Sequence, residues 1–159
     1  MTTPVSNHAG GISMAAFIVA VAVSIGYYQF VYVPQANAKP HLPKEITDPA
    51  STFTVTISEG STNQANGKFF VPKDARATIG IDNRVVWKNN DQTPHTVTSD
   101  DGYVDQINGK FDSQARPDEP FVMPGKDFTF TFTKIGTYHY HCEPHPWMQG
   151  SVEIVENFA

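Results

Sequence analysis

The sequence has a single cysteine and no charged side chain in its first 38 residues. One cysteine, Cys142, excludes an intramolecular disulfide bond. A lone thiol is also a liability in an oxidising compartment unless it is buried or bound to metal. All 11 basic and 16 acidic side chains follow residue 38, so that part of the chain carries the whole net charge of -5. This acidic balance argues against nucleic acid as a partner, because phosphates call for a Lys/Arg surface.

The uncharged N-terminal region contains a long apolar run at residues 12–33, preceded by a short tail at residues 1–11. A helix of this length covers about 30 Å, the thickness of a hydrocarbon core. We therefore predict a transmembrane anchor. The alternative is a signal peptide cleaved after Ala38, because Ala36-Asn37-Ala38 is a small-x-small site. The run is longer than the usual signal core of about 7–15 residues, which favours the retained anchor.

Residues 34–50 link this run to the rest of the chain and are rich in proline. Proline fixes φ and lacks an amide donor, so we predict an extended, semi-rigid spacer that holds the following domain away from the bilayer.

Residues 51–159 are predicted to form one all-β domain, because apolar residues recur with a period of two and not with the 3.6-residue period of a helix. The predicted strands are 52–57, 69–71, 77–81, 84–88, 95–99, 127–133, 136–142 and 151–155. Seven to eight short strands at this spacing are typical of a β-sandwich or a Greek-key barrel. Residues 100–120 show no clear period and are predicted to be a long loop.

Potential metal ligands are concentrated near the end of the domain. Cys142, His145 and Met148 follow one another with two residues between each, and His95 lies far upstream at the start of a predicted strand. One thiolate, two imidazoles and a weak thioether are the ligand set of a blue-copper site. Zinc also binds one cysteine with two histidines, and the methionine is what favours copper. A binuclear copper centre is excluded, because it needs two bridging thiolates.

The segment 136–150 resembles the copper loop of the cupredoxins, and its short Cys-x-x-His-x-x-Met spacing is most similar to that of amicyanin. Plastocyanins have a longer gap between the histidine and the methionine. Upstream, Trp87-Lys88-Asn89-Asn90 and Pro94-His95-Thr96-Val97 resemble the strand and the ligand histidine of the same family. The resemblance covers most of residues 51–156.

This resemblance implies a Greek-key β-sandwich that binds one copper ion cycling between Cu(I) and Cu(II). The implied ligands are His95, Cys142, His145 and Met148. It further implies that Asn89 forms hydrogen bonds around the ligand loop. Electrons are expected to leave through the partly exposed His145, across an apolar surface made by Pro94, Pro146 and Trp147.

Two more histidines, His139 and His141, alternate with Cys142 along a predicted strand and should point to the opposite face. We predict that they are surface histidines and not ligands of the same copper. The alternatives are a second metal site, or a second electron exit at His141.

The predicted function is that of a one-electron carrier, not an enzyme, acting between a donor and an acceptor redox protein. An alternative is a copper enzyme acting on a small redox molecule, which would need solvent instead of Met148 at the axial position. Less favoured is a copper-delivery module, because such a module would offer an exposed and exchangeable site.

We expect the domain to lie outside the cytoplasm, in the periplasm or at the cell surface, with membrane-associated partners. The positive-inside rule opposes this placement weakly, because Lys39 and Lys44 follow the apolar run. We still expect the domain at the outer face of the membrane, because its predicted copper chemistry favours that side.

Overall fold

The computed structural model describes residues 8–38 and 41–157, and the chain divides into two compact units at residues 1–39 and 40–159. The first unit is helical. Helix α1 (His8–Tyr27) continues through a π-helical turn at Tyr28–Tyr32 into helix α2 (Val33–Ala36). Residues 14–36 are long and apolar enough to cross a membrane, as an anchor or a signal segment would be.

The described part of the second unit contains strands, one short α-helix, α3 (Lys44–Thr47), and two 3₁₀ turns at Gln64–Asn66 and Ser113–Ala115. The strands are β1 (Thr52–Ile57), β2 (Phe70–Val71), β3 (Asp74–Thr78), β4 (Arg84–Asn89), β5 (Thr98–Ser99), β6 (Val104–Asp105), β7 (Gly109–Lys110), β8 (Asp127–Thr131), β9 (Gly136–Cys142) and β10 (His145–Val155). The all-β prediction is therefore confirmed, with ten strands among the described residues where seven to eight were predicted.

These strands form two four-stranded sheets with the orders β2-β1-β4-β8 and β3-β10-β9-β5, and β6 pairs with β7 in a separate hairpin. The pairs β1–β4 and β3–β10 are parallel, and the other pairs are antiparallel. Parallel neighbours cannot be joined by a tight hairpin, so the chain crosses between the sheets, as in a Greek-key sandwich.

Alternation along β4 and β9 explains where the core lies and which side chains reach one end of it. Along β4, Val85, Trp87 and Asn89 point inward, while Tyr138, Tyr140 and Cys142 do so along β9. Trp87 is fully buried, and its ring centroid lies 5.4 Å from those of Phe111 and Tyr140. The C-terminal residues of these two strands, Asn89 and Cys142, carry the alternation to the same end of the sandwich.

Several strand predictions differ from the structure. The strand predicted at 95–99 is limited to Thr98–Ser99, and the strand predicted at 151–155 begins earlier, at His145. The strand expected at 77–81 lies earlier, at Asp74–Thr78, because it takes its register from the parallel partner β10. The predicted loop 100–120 contains the β6–β7 hairpin, whose turn is closed by Asp105. The buried Asp105 carboxylate accepts from the amides of Ile107 and Asn108 at 2.8 and 3.0 Å.

The predicted spacer is not extended along its whole length. Residues 33–36 are helical, and helix α3 lies within residues 41–50, which belong to the second unit. The buried side chain of Asn83 donates to the Ile46 carbonyl at 2.8 Å, and Arg84 pairs with Asp48 at 2.6 Å. Asn83 needs partners for its buried amide, and the α3 backbone supplies one.

Candidate metal centre

Three of the four predicted ligands meet at one end of the sandwich. Ligand atoms of His95, Cys142 and His145 all lie within 4.8 Å of one another. Cys142 is the last residue of β9, and His145 is the first residue of β10, so the tight connection between them brings both side chains together. His95 lies in the segment after β4, where it forms a two-way backbone bridge with Val122.

The spacing of these atoms fits a metal bound by sulfur and nitrogen. The Cys142 Sγ lies 3.6 Å from His95 Nδ1 and 3.5 Å from His145 Nδ1. Bonds of about 2.3 Å to sulfur and about 2.0 Å to imidazole nitrogen, at angles between tetrahedral and trigonal, separate two such atoms by about 3.6 Å. One soft thiolate with two imidazoles is also the donor set that suits copper in both oxidation states.

The site is closed on most sides. His95, Cys142 and Met148 are fully buried, and only His145 is half-buried. Met148 lies three residues after His145 in β10, and its role as axial ligand stays a prediction. The protein interior therefore surrounds the cluster, and one imidazole edge reaches towards the surface.

A buried carboxylate fixes His95. Asp91 Oδ2 lies 2.8 Å from His95 Nε2, and its Oδ1 accepts from the amides of Gly60 and Gln92 at 3.0 and 2.8 Å. Burial alone would raise the pKa of Asp91, but the hydrogen bonds from His95, Gly60 and Gln92 together hold that pKa below its ordinary value. Asp91 is therefore an ionised acceptor, His95 carries its proton on Nε2, and Nδ1 is free to face the cluster.

Asn89 organises the segment that carries His95. Its Nδ2 donates to the carbonyls of Thr93 and Val122, both at 2.8 Å, and its Oδ1 accepts from the Asp91 amide at 2.9 Å. These hydrogen bonds of Asn89 close the segment 89–95, whereas the prediction placed them around the Cys142–Met148 loop.

Thr96 contacts the thiol side of the cluster. Its amide points at Cys142 Sγ over 3.4 Å, and its hydroxyl accepts from the Glu143 amide at 2.8 Å. Burial raises the pKa of the Cys142 thiol, although the Thr96 amide opposes this shift. In the metal-free protein the thiol is therefore protonated at neutral pH, and a bound metal would have to displace that proton.

The surface around His145 is partly apolar. Of the predicted electron-transfer residues, Pro146 is exposed, while Pro94 and Trp147 are half-buried. The Trp147 ring packs on His145 with centroids 5.3 Å apart. Phe121 and Met123 are 38% and 48% exposed, and they flank Val122, the backbone partner of His95. This places two further apolar side chains next to the segment that carries a ligand, which the sequence pattern did not indicate.

His139 and His141 lie on the outer face of β9, away from Cys142, as predicted. His139 is exposed. His141 Nδ1 contacts Asp100 at 2.5 Å and its Nε2 lies 3.5 Å from Glu143. Neither histidine belongs to the cluster of His95, Cys142 and His145.

Two contributing residues, Asp91 and Thr96, were not predicted. Asp91 lies four residues before His95, and Thr96 directly follows His95. The signal in the sequence was proximity to the candidate ligand. The sequence does not predict the conformation of the loop, which directs the Asp91 carboxylate back towards the His95 ring.

Comparison with known proteins agrees with this geometry. Residues 52–155 match the sequence model of the family described as copper binding proteins, plastocyanin/azurin family. Amicyanin of Paracoccus denitrificans is 33% identical over 76 residues, which are 48% of this chain and 52% of amicyanin. The chain thus spans about half the length of that relative.

A plastocyanin of Scenedesmus fuscus is 29% identical over 103 residues, covering 63% of this chain and 98% of that protein. Among solved structures, a purple cupredoxin from Nitrosopumilus maritimus superimposes with a TM-score of 0.51 at 27% identity. That match covers 65% of this chain and 99% of the other.

Proposed function

This chain belongs to the plastocyanin/azurin family of copper-binding proteins, and on that premise we propose that it is a one-electron carrier, not an enzyme. The observation that supports this proposal best is the closed ligand cluster. Of the four proposed ligands, three are fully buried (His95, Cys142 and Met148) and His145 is half-buried. An enzyme acting on a small molecule would need a coordination position open to solvent. A carrier needs only a conducting edge at the surface.

We assign one copper to this site. Its ligands are His95, Cys142, His145 and Met148. The bound copper supplies a one-electron couple between Cu(I) and Cu(II). His95 is held by Asp91, and the Thr96 amide points at the thiolate. A ligand set held rigidly in both oxidation states rearranges little, which favours fast electron exchange.

Electrons are proposed to pass through His145, because it is the least buried of the ligands. The docking surface consists of Pro94, Pro146 and Trp147, to which we add Phe121 and Met123. An apolar rim can be desolvated by a partner at low cost, and this brings the two redox centres close together.

We also propose that helix α1 and its continuation to Ala36 hold the domain at the outer face of a membrane. The support is the length and apolar character of residues 14–36. The donor and acceptor would then be redox proteins at the same membrane face. The mature N-terminus tests this directly. An N-terminus before Met14 indicates a retained anchor, and one at Lys39 indicates cleavage after Ala38.

The carrier function is tested by redox titration of the full chain in detergent, loaded with Cu(II). We expect each chain to take up and release one electron reversibly. Oxygen and nitrite should not be consumed in more than the amount that this one electron accounts for. Cys142→Ser is the control, because it removes the thiolate but leaves the histidines. Catalytic turnover of either small molecule by the wild type, lost in Cys142→Ser, would contradict the carrier proposal and favour the enzyme.

A further inference from the structure

The turn at Ser58–Ser61, directly after β1, is held in a fixed shape. The Ser58 amide donates to the Phe69 carbonyl at 2.8 Å, and the hydroxyl of the fully buried Ser61 donates to the Ser58 carbonyl. Gly60 has φ +75°, and a Cβ at this position would lie 3.0 Å from Asn66 Nδ2. The turn is therefore defined by its own hydrogen bonds and by glycine.

One side of this turn reaches the buried histidine. The Gly60 amide donates to Asp91 Oδ1 at 3.0 Å, and Asp91 Oδ2 accepts from His95 at 2.8 Å. Asp91 is only 4% exposed, and its carboxylate accepts hydrogen bonds from Gly60, Gln92 and His95. Because these hydrogen bonds hold Oδ1 in place, the orientation of the carboxylate is fixed and Oδ2 is directed at the imidazole.

The other side of the turn reaches the half-buried histidine. The Ser61 carbonyl accepts from Trp147 Nε1 at 3.1 Å, and the Trp147 ring packs on His145 at 5.3 Å with an interplanar angle of 58°. The N–H of a half-buried indole can donate to water, so it does not need the Ser61 carbonyl as its hydrogen-bond acceptor. The consequence of this hydrogen bond is orientation, because it fixes the plane of the ring that lies against His145.

We propose that the turn Ser58–Ser61 is a positioning element of the copper site that sets the orientation of both imidazoles from one place. The inference rests on the proposed function. The two histidines lie on segments far apart in the chain, with ring centroids 5.0 Å apart. A single turn that is hydrogen-bonded both to Asp91 and to Trp147 keeps the relative orientation of the two imidazoles constant when the charge of the metal changes.

Ser61→Ala tests this role, because it removes the hydroxyl that donates to the Ser58 carbonyl and leaves only the longer bond from the Ser61 amide to that carbonyl, at 3.3 Å. Asp91, Trp147 and all ligands stay intact. Thr62→Ala is the matched control, since Thr62 is the exposed neighbour in the same loop. In the copper-loaded full chain we expect transfer of copper to a chelator to become about tenfold faster in Ser61→Ala. The copper hyperfine splitting should change as well. Thr62→Ala should match the wild type in both.

The second readout uses the metal-free chain and follows the imidazole nitrogens by NMR. Ser61→Ala should shift the signals of both His95 and His145. Trp147→Phe keeps an aromatic ring but loses the N–H donor, and it should shift His145 and leave His95 unchanged. Asp91→Asn should mainly shift His95.

A folded Ser61→Ala chain with wild-type imidazole signals and wild-type copper loss would overturn the proposal. Where Ser61→Ala does not fold, Trp147→Phe decides, and unchanged His145 signals in that variant would overturn it. The NMR pattern needs no copper, so it separates this inference from the proposed function. A wild-type chain that binds no copper contradicts the carrier, whereas the pattern still tests the turn.

Discussion

His95 Nε2 donates to the carboxylate of Asp91 at 2.8 Å, and both side chains are almost completely buried. This contact selects the tautomer of His95 in which Nδ1 faces Cys142 Sγ, 3.6 Å away. One hydrogen bond therefore decides which nitrogen is presented to the metal and in which direction the ring is held.

Asp91→Asn is expected to weaken copper binding about tenfold, because an amide is a poorer acceptor for His95 and donates where the carboxylate accepted. Competition with a chelator measures the affinity. Asp118→Asn is the matched control, as Asp118 is exposed and the substitution removes the same charge. Equal affinities in the two variants would refute the role given to Asp91.

Met148→Leu is expected to raise the reduction potential of the bound copper, because the axial donor that stabilises Cu(II) is lost. Leucine conserves most of the volume, so the metal-free protein should lose less than about 1.5 kcal/mol of stability. Ile135→Leu, at an exposed position outside the docking surface, serves as control. Spectroelectrochemistry measures the potentials. An unchanged potential in Met148→Leu would show that Met148 fills the core without contacting the metal.

Phe121→Lys is expected to slow electron self-exchange between Cu(I) and Cu(II) copies about tenfold, because two copies docked through the His145 surface would bring two lysines together. Ile135→Lys adds the same charge at the other end of β9, about 20 Å from Cys142, and should leave the rate nearly unchanged. NMR line broadening in mixed oxidation states gives both rates. Slowing of equal size in the two variants would mean that net charge, and not the docking surface, controls exchange.

Asp105→Asn is expected to destabilise the domain by about 2 kcal/mol at neutral pH, since the buried carboxylate accepts from the amide and the hydroxyl of Thr133 at 3.0 and 2.7 Å. Burial opposes ionisation, but the hydrogen bonds from Thr133, Ile107 and Asn108 hold the pKa of Asp105 below its ordinary value.

A lowered pKa in the folded state gives stability that is present above the unfolded pKa and lost as the pH falls through the folded one. The stability difference between wild type and Asp105→Asn should therefore be largest at neutral pH and shrink below about pH 4. Chemical denaturation at several pH values measures it. A difference that stays constant down to pH 2 would contradict the assignment.

Strands with strong alternation could be predicted to the residue, as Thr52–Ile57 and Gly136–Cys142 were. Strands whose position depends on a partner could not. Asp74–Thr78 takes its register from β10, and the β6–β7 hairpin depends on the turn closed by Asp105. The proline-rich segment was predicted to be extended, but the buried amide of Asn83 holds the α3 backbone against the domain.

At the metal site, residue type and spacing were enough to single out His95, Cys142 and His145, because few chemistries combine a lone cysteine with histidines at this spacing. The surrounding groups could not be found in this way. Asp91 and the turn at Ser58–Ser61 act through loop geometry, and a carboxylate four residues before a histidine has many other conformations available. Trp147 was predicted as a surface residue, and its bond to the Ser61 carbonyl became visible only with the folded loop.

Binding of copper as a blue site by Cys142 and two histidines is tested most directly by the optical and paramagnetic-resonance spectra of the full chain after addition of one equivalent of Cu(II). We expect an intense visible band from thiolate-to-copper charge transfer together with a narrow copper hyperfine splitting, both absent in Cys142→Ser. A wild-type chain that shows no thiolate band, or the same spectrum as Cys142→Ser, would contradict the copper site and the carrier function built on it.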